Sequence, residues 1–393
     1  MFPVIILPLG LKPHERGRLF GKASVEQARH SLVTYARLFA FCGIDWAEAR
    51  RRARQYQAVI AELDPDLLTE MQGMADGTGL TLNDVLALNC RTEILPPNFL
   101  SADTHEAGAA LAANLAAGLP DWAGEAPLSE VWREGECTAM CVDGSASANG
   151  QTWFAQNWDW VGRQRAALVI LKSHDAQGRA FTTLTEAGML AKIGMNDCGF
   201  ALGLNILRSV RDGARPGVPV HVVLRHLLSC GSLAEARQQL DRVQALGFGA
   251  ASNIPCADAQ GEVACFEISP AGWAELRPSQ GVVVHTNHFL CESLLSQQSP
   301  MGQALSSQPR LVSALRYAER GSKPEKGSKI GFPELQDFLR DEADGLWSIC
   351  RSPDPALAPE VRVESVAGII MEPHSRSIWI APDVPKKVAF SRL

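Results

Sequence analysis

The chain has 393 residues, 46% of them apolar and 20% charged, a composition that supports a folded protein with a sizeable core, built as one large domain or two ordinary ones. A formal net charge of −6 and the lack of any Lys/Arg-rich run argue against nucleic acid and anionic membrane as main partners. The apolar start, Met1 to Leu11, carries Pro3 and Pro8 and no basic lead-in, so it reads as a first β-strand and a cytoplasmic location is expected.

Gly10 and the stretch Gly17–Gly21 read as a turn, and Ser24-Val-Glu-Gln27 as a capping box opening a helix through Phe39. A charged helix is expected from Trp46 to Leu63. Thr81-Leu-Asn-Asp84 starts another, which carries Asn89, Arg91, Thr92 and Glu93. Pro96 to Glu136, with its Ala-rich patch and scattered Pro and Gly, reads as a mobile linker with room for one short helix.

From Cys137 the period changes to two. Cys137–Cys141 and Trp153–Trp160 flank the turn-forming segment Asp143–Gly150, so the two runs read as a hairpin that returns Asp159 to the neighbourhood of Cys137. Strands are expected over 167–172, 180–185, 190–195 and 200–207, then helices over 220–228 and 232–246. Strands follow over 250–257, 262–268, 273–276 and 281–286, helices over 308–320 and 333–341, and closing strands over 363–371 and 377–380. Two sets of strands, each followed by helices, suggest an α+β fold in which two sheets pack between helical layers.

Ten cysteines without a secretory leader are expected to stay reduced. Cys137 and Cys141 lie four apart with no second close Cys or His pair, so a zinc site is weakly supported and no metal is expected. A single cysteine is usually a small buried apolar residue. Cys137 departs from that default by position, because it stands where the linker meets the first strand of the sheet region. Were the bond before it cut, its α-amine, with a pKa of about 8 against about 8.5 for a thiol, could serve as base for its own side chain. None of the nine histidines sits in an obvious Cys/His motif.

Cys137-Thr138 followed by Gln156-Asn-Trp-Asp159 resembles the acyl-coenzyme A:isopenicillin N acyltransferase family, a peptidase C45-like cysteine branch of the N-terminal nucleophile hydrolases. Leu88-Asn-Cys-Arg-Thr-Glu93, Thr185-Glu-Ala-Gly188, Arg215-Pro-Gly-Val-Pro219, His285-Thr-Asn-His288 and Ser348-Ile-Cys-Arg351 also look like family blocks, in family order. The resemblance runs from near Ile5 to about Met371. It implies a four-layer αββα sandwich, self-cleavage between Glu136 and Cys137, and two chains, 1–136 and 137–393, that stay associated as one structural domain.

The resemblance also implies roles. Cys137 matches the nucleophile, Asp159 the residue that orients the new amino terminus, and Asn287 the donor to the oxyanion, worth about 3–4 kcal/mol of barrier. Arg362 matches the arginine near the nucleophile, with Arg351 as the other candidate. Thr138, Asn157, Arg91 and Glu93 are supporting residues, the last two expected as a buried helix-to-sheet ion pair. Each has a plainer reading: Asp159 could cap a turn and Asn287 could bridge backbone at a strand end. Penicillin-forming members cut between Gly and Cys, whereas Glu136 stands here; attack by the thiol needs a strained peptide more than a particular side chain. The implied reaction is cleavage of a small-molecule amide through a Cys137 thioester with no cofactor. Acyl-CoA-dependent N-acyl transfer, with acyl-CoA as substrate, is the alternative, and an unprocessed binding protein on the same fold is the second.

Overall fold

Eleven helices and fifteen strands are seen among the residues that the computed structural model describes, which are 1–96, 137–299, 306–322, 329–355 and 362–393. The expected linker and Glu136 lie outside them. Strand β1 (Val4–Ile6) is followed by α1 (Pro13–Ala23), α2 (Val25–Phe41), α3 (Trp46–Ala53), α4 (Gln57–Leu63), α5 (Pro65–Thr78), α6 (Leu82–Asn89) and α7 (Arg91–Ile94). The Thr81/Asp84 capping box that opens α6 is present in full. At α2 the expectation is corrected: Ser24 makes no side-chain cap, and its hydroxyl donates instead to Phe20 O at 2.8 Å. The charged helix expected from Trp46 to Leu63 is interrupted by a 3₁₀ turn at Arg54–Tyr56.

The stretch Gly17–Gly21 is not a turn but part of α1. Its glycines face those of α5. A Cβ on Gly17 would stand 1.9 Å from Glu70 O, and one on Gly73 would stand 2.0 Å from His14 O. The two backbones are in direct contact, which only residues without a side chain allow. That approach lets Arg16 reach Glu70 with its Nη2 2.7 Å from Oε2, both side chains buried.

The hairpin forms as the sequence indicates: β2 (Cys137–Val142) and β3 (Trp153–Val161) are antiparallel, with Cys137 opposite Trp158 and Thr138 opposite Asn157. Next come β4 (Leu168–His174), β5 (Ala180–Glu186), β6 (Ile193–Asn196), β7 (Phe200–Leu202) and β8 (Asn205–Ile206). Helices α8 (Val220–Leu227) and α9 (Leu233–Leu246) lead to β9 (Ser252–Asp258), β10 (Val263–Ser269), β11 (Gly272–Leu276) and β12 (Val282–His285). Helices α10 (Ser307–Ser322) and α11 (Phe332–Arg340) precede β13 (Val363–Glu372), β14 (Ser377–Ala381) and β15 (Ser391–Arg392).

One sheet runs β1-β4-β5-β6-β7-β9-β10-β11 with β8 on β9, and the other runs β12-β2-β3-β13-β14-β15. Strand alternation divides the second sheet's faces. Cys137, Cys141, Phe154 and Trp158 join the large core shared with the first sheet, whereas Met140, Val142, Trp153 and Ala155 pack with Ala314, Leu335 and Phe338 of α10 and α11. Helices α1–α9 contribute to the same large core as the first sheet. The order helix, sheet, sheet, helix is the expected αββα sandwich. Residues before and after the undescribed 97–136 belong to one core, and β1 pairs in parallel with β4.

Glu93 ties α7 to α8, since its Oε1 accepts the Val220 N–H at 2.8 Å. Burial pushes its carboxyl up from the ordinary 4.5 to about 7. The folded chain therefore keeps a proton that the unfolded chain releases, and Glu93 lowers stability progressively as pH rises between those two values. We predict that Glu93→Gln gains stability over wild type between about pH 5 and about pH 8, read by urea unfolding at both; a constant difference would show that the carboxyl is not shifted. Gly17→Ala forces α1 and α5 apart and should cost about 3 kcal/mol in the same assay. Gly79→Ala, at a left-handed site with open space around it, should cost about 1 kcal/mol.

Candidate active site

Cys137 opens β2 and is 5% exposed. Its peptide N–H donates to Asn287 Oδ1 at 3.0 Å. Asn287 follows β12, the neighbour of β2 in the sheet, and its Nδ2 donates to Ile206 O at 2.9 Å. With two donors on Oδ1 and a carbonyl on Nδ2, the amide has one satisfied orientation. The second donor is Arg310.

Arg310 lies in the first turn of α10 and is fully buried. Its Nη2 donates to Asn287 Oδ1 at 2.8 Å, its Nη1 to Cys137 O at 2.7 Å and to Thr138 Oγ1 at 2.8 Å, and its Nε to Ser306 Oγ at 3.0 Å. Asn205 Nδ2 also donates to Cys137 O, at 3.0 Å. The nitrogen and the carbonyl of residue 137 are thus both gripped by side chains from elsewhere in the chain.

On the sulfur side, burial foremost and then the Asp159 charge push the Cys137 thiol up to about 12, against Lys192, the Asp159 backbone N–H and Arg310, which favour the thiolate. Asp159 Oδ1 accepts the Ser365 hydroxyl at 2.6 Å, and the ladder between β3 and β13 slips between Ser365 and Ala367. A cavity of about 10 Å³, room for one water, is lined by Cys137, Trp158, Asp159, Trp160, Arg91 and Lys192, with Leu204 and Ile206.

Cys137, Thr138, Asp159 and Asn287 are therefore brought together. Arg362 is not. It precedes β13, level with Val161 and Gly162 and well along the strand from Trp158, and its Nη2 donates to Pro355 O at 3.2 Å. Arg351 pairs its backbone with Ser365. The arginine against Cys137 is Arg310, which the sequence reading missed. One signal was available: a cation in the first turn of a helix opposes the helix dipole and calls for a partner.

Asn157 turns to the outer face, where its Nδ2 donates to Leu339 O and Ile349 O, both at 2.9 Å. Arg91 does pair with a sheet carboxylate, but it is Glu186 of β5 at 3.7 Å rather than Glu93, and the guanidinium lies 4.9 Å and 5.0 Å from the ring centres of Tyr35 and Trp160. Lys192, just before β6, was also missed. Its Nζ is 3.3 Å from Glu186 Oε2 and 3.6 Å from the centre of the Trp158 ring, the ring opposite Cys137. A lone lysine in Gly188-Met-Leu-Ala-Lys-Ile-Gly-Met195 was the trace that it left in the sequence. Among the described residues, no group of three His, Cys, Asp or Glu could hold a metal, and no helix is long and apolar enough to cross a membrane.

Comparison with known proteins gives the family. A family model described as acyl-coenzyme A:6-aminopenicillanic acid acyl-transferase matches residues 146–386, more than half of the chain. The acyl-coenzyme A:6-aminopenicillanic-acid-acyltransferase 40 kDa form of Emericella nidulans is 27% identical over 308 residues, covering 78% of this chain and 72% of that protein. Among solved structures, penicillin V acylase from Agrobacterium tumefaciens is similar at 12% identity and a TM-score of 0.40, covering 63% of this chain and 83% of its own. A mutant of conjugated bile acid hydrolase from Clostridium perfringens is similar at 10% identity and a TM-score of 0.43, covering 65% of this chain and 96% of its own. The chain therefore belongs to the acyl-coenzyme A:6-aminopenicillanic acid acyl-transferase family and is an enzyme of amide cleavage or acyl transfer.

Proposed function

We propose that the chain cuts itself before Cys137 and then uses the freed residue to open a small-molecule amide. The observation that carries this reading is the grip on residue 137. Asn287 and Arg310 hold its nitrogen and its carbonyl, while its sulfur faces a closed cavity beside Asp159 and Lys192. Fixing the backbone on both sides of a nucleophile presents sulfur and peptide bond in one geometry, which is where an intramolecular attack gains its rate.

After the cut, the new α-amine of Cys137 takes the thiol proton, with Asn287 Oδ1 already placed to receive a hydrogen from that nitrogen. Asp159 stands near enough to hold the ammonium charge that results. The thiolate takes the acyl group from the amide, the amine leaves with a proton, and water releases the acyl group from the thioester. Asn287 serves as donor to the oxyanion only if its Nδ2 leaves Ile206 O, so that role requires a small rearrangement once the chain end is free.

In this reading 1–136 and 137–393 stay together, supported by the parallel pairing of β1 with β4 and by the shared core. The free state of all ten cysteines supports a reducing, cytoplasmic setting. No cofactor is needed for this chemistry. Acyl-CoA as donor and an amine as acceptor form a second reading, favoured by the name of the family and of the Emericella nidulans relative.

Intact-mass measurement of the purified protein should show two fragments split at Cys137, and Cys137→Ala should leave one unsplit chain. A wild-type chain that stays whole on long incubation would instead favour an unprocessed binding protein. Incubation of the processed protein with an amide panel, and separately with acyl-CoA plus amines, should release free acid in the first case. Product formed only in the second would assign the acyl-transfer reading.

A further inference from the structure

The uncut chain lacks the base that the mature site would use. Its nitrogen at 137 is a peptide nitrogen whose hydrogen goes to Asn287, and an amide nitrogen does not take up a proton near neutral pH. Burial meanwhile holds the thiol in its neutral form. Something else must remove the thiol proton if the sulfur is to attack.

The charged groups set around that sulfur are Lys192, Asp159, Arg91 and Arg310. A guanidinium carries donors and no acceptor, so neither arginine can serve as the base. Asp159 lines the same cavity and its charge acts on the thiol, but its Oδ1 already takes the Ser365 hydroxyl, and a carboxylate is a far weaker base than an amine. Lys192 remains. Its Nζ sits on the ring that pairs across the hairpin with Cys137, and both residues line a cavity that holds at most one water.

We propose that Lys192 is the base that takes the Cys137 thiol proton during self-cleavage. The inference rests on the reading that the chain cuts itself. The Lys192 nitrogen takes the S–H proton, directly or through one water, and the sulfur bonds to the carbonyl carbon of the preceding residue. The resulting ammonium then returns its proton to the nitrogen of residue 137 as the C–N bond breaks. That leaves a thioester, a free α-amine and a neutral lysine. Water completes the cut, its oxygen going to the acyl carbon and a hydrogen to the sulfur.

The surroundings suit a lysine that is neutral part of the time. Burial pushes Lys192 down to about 7, against the opposing pull of Glu186. Arg91 from α7 and His221 from α8 also face this group, and the Tyr35 hydroxyl from α2 occupies the other Glu186 oxygen. The rings of Trp158 and Trp160 complete the enclosure.

The test is the rate of splitting, followed by intact mass on freshly purified full-length chain across a pH series. Wild type should split faster as pH rises through about 7 and then level off. Lys192→Arg keeps the charge and the Glu186 pair but cannot accept a proton, so it should split at least about 100-fold more slowly at every pH with its melting temperature preserved. The charge-neutral double variant Lys192→Met with Glu186→Gln should behave alike, and it serves if the arginine does not fit. Either folded variant splitting at the wild-type rate would overturn the role of Lys192 and leave self-cleavage standing. So would a flat wild-type profile abolished by Asp159→Asn, which would give the proton to the carboxylate. A wild-type chain that never splits would remove both readings together.

Discussion

The site depends on a buried guanidinium. Arg310 is enclosed beneath β2, and a cation in such a place is tolerated only when its donors are used. Its donors go to Cys137 O, Thr138 Oγ1, Asn287 Oδ1 and Ser306 Oγ, which belong to three separate stretches of chain. Leaving those acceptors without the arginine would cost several kcal/mol, as removal of one member of a buried charged set generally does. The same bonds fix the backbone of residue 137. Stability and chemistry therefore draw on one set of contacts.

A second set of buried charges lies on the opposite side of Cys137. Lys192, Arg91 and Glu186 are enclosed with Tyr35, Trp158 and Trp160, and the carboxylate is shared by two cations and a phenol. Burial raises the cost of every charge there, so Lys192 falls toward neutrality while Glu186, held by both cations, stays ionised. Cys137 sits between two buried basic side chains, Arg310 on its carbonyl and Lys192 beside its sulfur. In the proposed reading the first supplies fixed geometry, and the second supplies a place for a proton.

Both sets exist because of the sandwich. The inner face of the β2–β3 hairpin meets the first sheet and its helices, which deliver Arg91, Glu186 and Lys192. The outer face meets α10 and α11, from which Arg310 reaches the strand. Residue 137 stands where these layers converge, against a cavity of about 10 Å³, room for one water. A closed site suits the proposed self-cleavage, in which the first bond attacked is the chain's own.

Much of this was legible in the sequence. Period-two runs around Asp143–Gly150 set the hairpin and hence the register that places Trp158 opposite Cys137, and the order of strands and helices gave the layers. Local spacing misled where backbones meet: Gly17 and Gly21 look like a turn, yet they belong to a helix whose partner lies more than fifty residues on. The Asp64-Pro65 start and Gly79 end of α5 were present as signals but were not read as a helix. The arginine was the clearest failure. Arg362 is closer to the strand that pairs with Asp159, but Arg310 is the one that α10 carries beneath Cys137. Sequence by itself set the hairpin that Cys137 opens and carried the family blocks, because strand pairing, turn chemistry and motifs act over a few residues. Which cations surround the sulfur was decided only by tertiary structure, because a buried charge is placed by the packing of layers far apart along the chain.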